Sequence, residues 1–469
     1  MKKYTIMFLY LFALSFSALC SGVYGQGSND GLETKVDKME KMLMELKDQL
    51  KQQTVASDEL KAMRDEIKKI SAPTLPENEF YWAKKSQELE NKGLSPVFGN
   101  QYAKPFLRRF GRNTYIGGYM DHELEFDERG NHTFDQHRLI PFIYSDVSDR
   151  VKFATEIEIE HGGPQGSGGI QGKTGAIKIE FATIDFLMTD WLNYRAGIIL
   201  SPLGKYNLTH DSPLQDLTDR PMVSTNIIPT TLSESGMGFF GTLYPTELST
   251  LSYEIYAVNG FSAQDGTATA SGGTGFIRSS RGSQQDDNNR NPALVGRLAY
   301  SPFLGLEVGL SAHVGDIDQH GGSKMAIKAV DWTYQRGAFE LVGEYAHASI
   351  ERDRGDVEGT PKSDLYNGDM WGYYVEPRYH FMPQLLKDVA PTFFTDNSTF
   401  TAVVRLGQID VNNPIQGSAN TRKTRLTPGF NFRYTEDTVF KAEYQFNWES
   451  DRSDEVSNNS LVFSVSTYF

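Results

Sequence analysis

From Thr114 to the C-terminus, apolar and polar residues alternate with a period of two in short segments separated by polar linkers. The clearest segment sets Val151, Phe153, Ile157 and Ile159 against Lys152, Glu156, Glu158 and Glu160. Successive side chains of a strand point to opposite faces, so this spacing predicts a strand with an apolar surround on one side and water on the other. Ile177, Ile179 and Phe181 against Lys178 and Glu180 repeat it, as do Tyr194, Ala196, Ile198 and Leu200 against Asn193 and Arg195. The chain closes on Leu461, Phe463, Val465 and Phe469 with Ser464 and Ser466 between them, an alternating strand that ends on an aromatic residue.

Sixteen such segments are predicted, at 114–126, 136–145, 150–160, 174–186, 190–200, 236–244, 250–259, 293–301, 305–316, 325–334, 338–349, 369–380, 399–408, 424–434, 439–449 and 459–469. An even count is what a single-chain bacterial barrel requires. When the last strand is taken to finish in the periplasm, the linkers at 145–149, 245–246, 302–305, 336–337 and 435–438 all fall on that side and are short. Those at 162–173, 201–235, 260–292, 351–368 and 410–423 fall on the outer side and are long. Only 381–398 breaks the rule, and a split or missed element is expected there. The expected fold is therefore an all-β, transmembrane, 16-stranded antiparallel outer-membrane β-barrel over 113–469. Tyrosine and tryptophan near the strand ends, among them Trp191, Tyr300, Trp448 and Tyr468, are expected to form interfacial girdles.

The N-terminal quarter has a different pattern. Lys2 and Lys3, the apolar run from Ile6 to Leu19 and cleavage after Gly25 read as a signal peptide over 1–25. Within 26–72, Val36, Met39, Leu43, Leu46 and Leu50 keep a heptad seam that resumes at Leu60, Met63, Ile67 and Ile70. Its other faces are mostly polar, which predicts a periplasmic coiled-coil helix that self-associates. Pro73 and Pro76 end it, and a connector over 73–112 leads to the barrel.

Composition narrows the choices. Loss of the signal peptide removes Cys20, the chain's only cysteine, together with two lysines, so the mature charge is −14 − 2 = −16 and thiolate chemistry is excluded. An acidic chain without basic clusters is not expected to bind nucleic acid. After residue 25 no run of eighteen apolar residues exists, so helical membrane spans are excluded as well. The chain carries no nucleophile elbow, phosphate loop or paired-histidine zinc helix, and no catalytic residue or cofactor is expected. His132, His137, His161 and His210 fall near the outer mouth but are expected to be solvated, with no metal bound.

The remaining signal is electrostatic. The polar faces place Lys152, Glu156, Glu158, Lys178, Glu180, Arg195, Arg405 and Arg425 toward the lumen as candidate pore-lining residues. Early strands are rich in carboxylates and late ones in arginine, which predicts a transverse field across a water-filled lumen and a preference for cations. The 201–235 linker combines apolar spots (Leu203, Leu208, Leu217, Ile227, Ile228) with Lys205, His210, Asp211, Asp216, Asp219 and Arg220. It is too apolar for a freely solvated loop, and folded inward it would constrict the pore.

Gly197-Ile198-Ile199-Leu200-Ser201-Pro202-Leu203-Gly204, followed by Leu208-Thr209 and Asp219-Arg220-Pro221, is similar to the segment entering the constriction loop in the family of the phosphate-selective porins O and P. Asn259-Gly260 and Gly296-Arg297-Leu298-Ala299-Tyr300-Ser301-Pro302 are further porin-like phrases. The resemblance implies a trimeric channel for passive diffusion of small hydrophilic solutes and ions, with an anion-, phosphate- or sugar-selective channel as the alternative. Phosphate-selective members use a ladder of arginines, and here the inferred lumen carries more carboxylates than cations, which counts against phosphate. The coiled coil resembles the periplasmic extension of some sugar porins, and a plugged barrel tethered to the cell wall is a further alternative. Expected partners are outer-membrane lipid, two more copies of the chain in a homotrimer, barrel-assembly machinery reading the terminal Phe469, and the cell wall through the coiled coil.

Overall fold

The computed structural model describes residues 108–110, 113–130, 132–163, 175–262, 276–287, 289, 291–317, 324–351, 369–411, 422–449 and 458–469. The expected signal peptide and coiled coil, and the connector up to residue 107, lie outside the described residues. The strands are β1 (Arg108–Phe110), β2 (Thr114–Asp127), β3 (His132–Asp146), β4 (Val151–Glu160), β5 (Ala176–Leu187) and β6 (Asn193–Leu200). They continue with β7 (Ser233–Thr246), β8 (Ser249–Val258), β9 (Ala293–Phe303), β10 (Leu306–Asp316), β11 (Lys324–Arg336) and β12 (Phe339–Glu351). The last are β13 (Asp369–Phe381), β14 (Thr399–Asp410), β15 (Arg422–Arg433), β16 (Thr438–Glu449) and β17 (Ser460–Tyr468). Among the described residues, four short α-helices accompany them, α1 (Lys205–Leu208), α2 (Val223–Asn226), α3 (Phe276–Ser279) and α4 (Gln384–Val389).

From β2 to β17 each strand pairs antiparallel with the next, and β17 returns to β2 from Ser460↔Asp127 to Tyr468↔Tyr119. This closes a sixteen-stranded barrel. The remaining strand of the 17-stranded sheet, β1, pairs with β2 from Arg108↔Ile116 to Phe110↔Thr114. Because the other edge of β2 holds β3, β1 lies on the same edge as β17, just past its end.

Every one of the sixteen predicted segments is a strand, and the largest shift moves the start of the second from 136 to His132. The short and long connections alternate as expected. The exception at 381–398 is not a missed strand: it contains α4, and its Phe393 stacks on Phe432 at 5.8 Å.

Alternation sets the two faces of the wall. On β9, Leu294 and Leu298 point outward and are exposed, while Val295 and Arg297 point inward and are buried. An outward apolar belt is the surface that lipid requires. The inner face is not uniformly polar. Met325, Ile327, Ala346, Ile350, Met370 and Ile409 are buried there, in one cluster with Leu203, Val223, Ile227 and Ile228 of the 201–232 loop. A smaller cluster on the early strands joins Tyr119, Phe142, Tyr144 and Phe181 to Leu208 and Tyr468. Each such side chain contributes about 1.5–3 kcal/mol when taken out of water, so the loop has an apolar seat inside the barrel. Tyr468, expected in the girdle, belongs to this interior: it is 4% exposed, because the period that turns Phe469 outward turns its neighbour inward.

Candidate functional site

The loop between β6 and β7 begins and ends at one point on the wall. Ser201 N donates to Leu232 O at 3.0 Å. Asn207, fully buried at the end of α1, locks this neck: its amide nitrogen donates to Ser201 O at 2.8 Å and Leu232 O at 3.1 Å, while its oxygen accepts from Leu232 N at 2.9 Å. Gly204 then turns the chain at a φ of 70. A side chain there would also come within 2.5 Å of the Glu344 carboxylate, so glycine is needed on both counts.

Glu344 on β12 fastens the loop at two places. It accepts from Tyr206 N at 3.1 Å and from Ser224 Oγ at 3.0 Å. Glu180 on β5 does the same from across the barrel, meeting His210 Nε2 at 3.2 Å and accepting from Thr231 Oγ1 at 3.1 Å. Tyr468 donates to Asp211 at 2.9 Å and Lys441 Nζ to Ser212 O at 2.7 Å. Contacts with β5, β12, β16 and β17 mean that the loop crosses the lumen.

Asp216 sits at the centre of a clasp. Arg433 donates to it at 3.0 Å, Asn431 at 3.0 Å, and Arg378 lies 3.2 Å away. Burial works to raise its pKa, but Arg378 and then Arg433 outweigh it and hold the carboxyl well below the usual range. Asp219 meets Arg425 at 3.0 Å and accepts from Gln445 at 2.7 Å, and its carbonyl accepts from Arg405 at 2.6 Å. Lys205 pairs with Glu307 at 3.1 Å. Arg220 turns back on the loop and donates to Thr230 O at 2.8 Å, joined there by Arg278 at 2.7 Å. Its Nε and Nη2 are buried without a hydrogen-bond partner, and burial followed by the charge of Arg138 pulls its guanidinium below the ordinary value.

The loop separates two cavities. One, of about 640 Å³, opens toward the long connections and is lined by Arg138, Arg220, Arg278, Lys423 and Arg425 with Asp121, Glu123, Glu160 and Asp219. The other, of about 410 Å³, opens toward the short turns and includes Lys205 and Arg378 with Glu307 and Glu340. Tyr206 and Gln215 line both. The charged lining sums to 5 − 4 = +1 in the first and 2 − 2 = 0 in the second.

The expected pore-lining residues divide accordingly. Arg425 lines the outer cavity. Glu156, Glu158 and Glu180, by contrast, are 0–1% exposed and line neither cavity, so this part of the acidic early-strand face lies packed away from open space, while Asp121, Glu123 and Glu160 line the outer cavity. Glu158 lies 2.5 Å from Lys178 and 3.6 Å from Arg138. Arg195 is likewise buried, bidentate on Asp185 at 2.6 and 2.7 Å, and Arg405 is held by Glu376 at 2.5 Å. Lys152 pairs with Asp146 at a short turn, at 2.8 Å. These burials correct the picture of opposed, open walls: carboxylates and cations are interleaved, and the loop covers them. Of the loop residues, Lys205, His210, Asp219 and Arg220 reach a cavity, whereas Asp211 and Asp216 serve as ties. Phe469 lies half exposed on Gly118, with its amide donating to Gly118 O at 2.9 Å. Sequence reasoning missed Asn207, Glu344 and Glu376. Glu344 and Glu376 had a signal, each a carboxylate on an inward-facing strand position.

No family model matches the chain. A protein of Aquifex aeolicus (strain VF5), described as uncharacterized, is 28% identical over 305 residues, 62% of this chain, and the chain spans about 65% of that relative's length. Among solved structures, OmpF of Salmonella typhi in complex with daunomycin is similar at 10% identity and a TM-score of 0.49, covering 78% of this chain and 100% of that one. The outer-membrane channel DcaP of Acinetobacter baumannii follows at 12% identity and 0.48, with 77% and 99% covered. The anion-selective porin of Comamonas acidovorans stands at 12% identity and 0.47, with 76% and 99% covered.

Proposed function

We propose that the protein is an outer-membrane porin through which small hydrophilic solutes and ions diffuse passively, with the 201–232 loop as its constriction. The observation that carries this reading is the inward loop itself, which leaves charged, polar-lined space on both of its sides and meets at Tyr206 and Gln215. The proposal includes a homotrimer, assembled after removal of 1–25 and strengthened by the coiled coil over 26–72, with 73–112 as connector. A nearly balanced lining makes selectivity weak, despite a mature net charge of −14 − 2 = −16. Insertion of the purified protein into a planar bilayer should give stepwise conductance, with a small reversal potential in a salt gradient. A barrel that inserts, as judged by heat-modifiable migration, and passes no current would overturn the channel in favour of a plugged tether. Phe469 is proposed as the assembly signal, and Phe469→Ala should lower the outer-membrane level of the protein.

A second reading, an anion-preferring channel, is favoured by one feature. Arg220 presents two unpartnered, buried guanidinium nitrogens, Nε and Nη2, beside the outer cavity, close to Arg138 and Arg278. Buried donors without partners favour an anionic visitor. A reversal potential of clear anionic sign in dilute salt, lost in Arg220→Gln, decides for it.

A further inference from the structure

Away from the loop, β2, β3 and the turn after β4 bring together a second group of side chains. Asp135 and His137 come together on β3 at 3.2 Å, where a register shift opposite Asp121 and Glu123 interrupts the alternation, so that His137 and its neighbour Arg138 both face the lumen. Glu123 on β2 pairs in register with Asp135. His161 comes from the turn, where φ values of 50, 78 and 86 at His161, Gly162 and Gly163 fold the chain back, and its amide donates to His137 O at 3.4 Å. His161 is a non-glycine residue in the left-handed region, so the turn holds it there against its local preference.

The turn delivers His161 Nδ1 to 2.7 Å from Asp135 Oδ1. His137 Nδ1 lies 3.2 Å from Asp135 Oδ2 and 3.5 Å from Glu123 Oε2. One donor atom from each of Asp135, His137 and His161 is within 4.8 Å of the other two. A tetrahedral ion with ligands at about 2.0–2.1 Å has donor-to-donor edges of roughly 3.3 Å, which the observed separations bracket. We propose that Asp135, His137 and His161 bind one late first-row divalent cation, zinc foremost, at the long-loop mouth of the barrel, with the Glu123 carboxylate beside them adding negative charge. Two imidazoles select such a metal over calcium or magnesium, which take oxygen ligands. Glu123, His137 and His161 also line the outer cavity, so the ion sits on its wall.

Arg138 Nη2 donates to His137 Nε2 at 2.8 Å, so the ring proton of the metal-free protein is on Nδ1, facing the carboxylates. Metal binding at Nδ1 moves that proton to Nε2 and dismisses Arg138, which keeps Glu158 at 3.6 Å. Among the described residues a second histidine–carboxylate cluster, Asp216 with Glu340 and His380, is already occupied by Arg378 and carries no such site.

Calorimetric titration of zinc chloride into the purified, tag-free chain in detergent tests the site. One saturable site per chain is expected, unaffected by excess calcium. His161→Ala, on an exposed side chain, should weaken it at least roughly tenfold, the scale on which even outer-shell partners of a metal act. His137→Ala with His161→Ala should remove it while the β-sheet circular dichroism stays unchanged. No saturable heat from zinc, or a folded double variant that binds as tightly as the parent, overturns the proposal.

Discussion

The two arms of the inward loop are held by different forces. The arm at 209–220 carries His210, Asp211, Asp216 and Asp219, and every one of these meets a partner on the inner wall through a directed polar contact. The arm at 221–232 buries Val223, Ile227, Ile228 and Leu232 almost completely against inward-facing Met325, Ile327, Ala346 and Met370. Ion pairs gain little net free energy once desolvation is counted, but they fix position and register. Apolar burial supplies free energy without specifying direction. One arm therefore sets where the constriction lies, and the other keeps it there.

Breaking the apolar arm should have the largest effect. Ile227→Ala with Ile228→Ala removes two wholly buried side chains, at about 2–5 kcal/mol each. Since the strand ladders do not depend on them, the barrel should persist while the loop lifts away, seen as larger, noisier single-channel steps and new protease cleavage within 201–232. Unchanged steps and an uncut loop would show that the polar arm alone suffices.

Asp216→Asn tests the clasp directly. Arg378 keeps Glu376 and Glu340, so the loss should be about 1.5–3 kcal/mol, read as earlier protease cleavage of the loop. The pH dependence follows from the depressed pKa of Asp216. A carboxyl with a lowered folded-state value contributes stability above its unfolded pKa of about 3.9, which is lost as pH falls through the folded value. The clasp should therefore leave conductance flat from pH 8 to 5 and fail only in stronger acid. A clasp-dependent transition near neutrality, absent in Asp216→Asn, would contradict this.

The smallest effect belongs to Arg425→Gln. Its pair with Asp219 is partly exposed on both sides, so about 0–1 kcal/mol is expected, shrinking further in high salt. A large loss of loop protection would mean that Asp219 is held chiefly through this pair rather than through Gln445 and Arg405.

The contrast between the arms also explains what the sequence could convey. Strand positions and the parity of long and short connections were legible, because each follows from a period of two. The loop was legible too, from Ile227 and Ile228 in a segment otherwise fit for solvent. Its seat was not: Met325, Ile327, Ala346 and Ile350 read as ordinary strand residues, and only the closed barrel shows that they point into the lumen. The burial of Glu156, Glu158 and Glu180 was hidden for the same reason. Alternation tells which face a side chain takes, but not what later folds over it. Asn207, one polar residue among several in its linker, gives no sign that it grips both ends of the loop.

The short β1 has a consequence for neighbouring molecules in a crowded membrane. The seam edge of β2 is paired with β17 over 119–127 and with β1 over 114–116. Bare backbone on such an edge would act as a template for a strand from another chain, the usual beginning of runaway polymerisation. With three residues of its connector as a seal, the chain shortens the stretch of this edge on which one barrel could be stitched to the next.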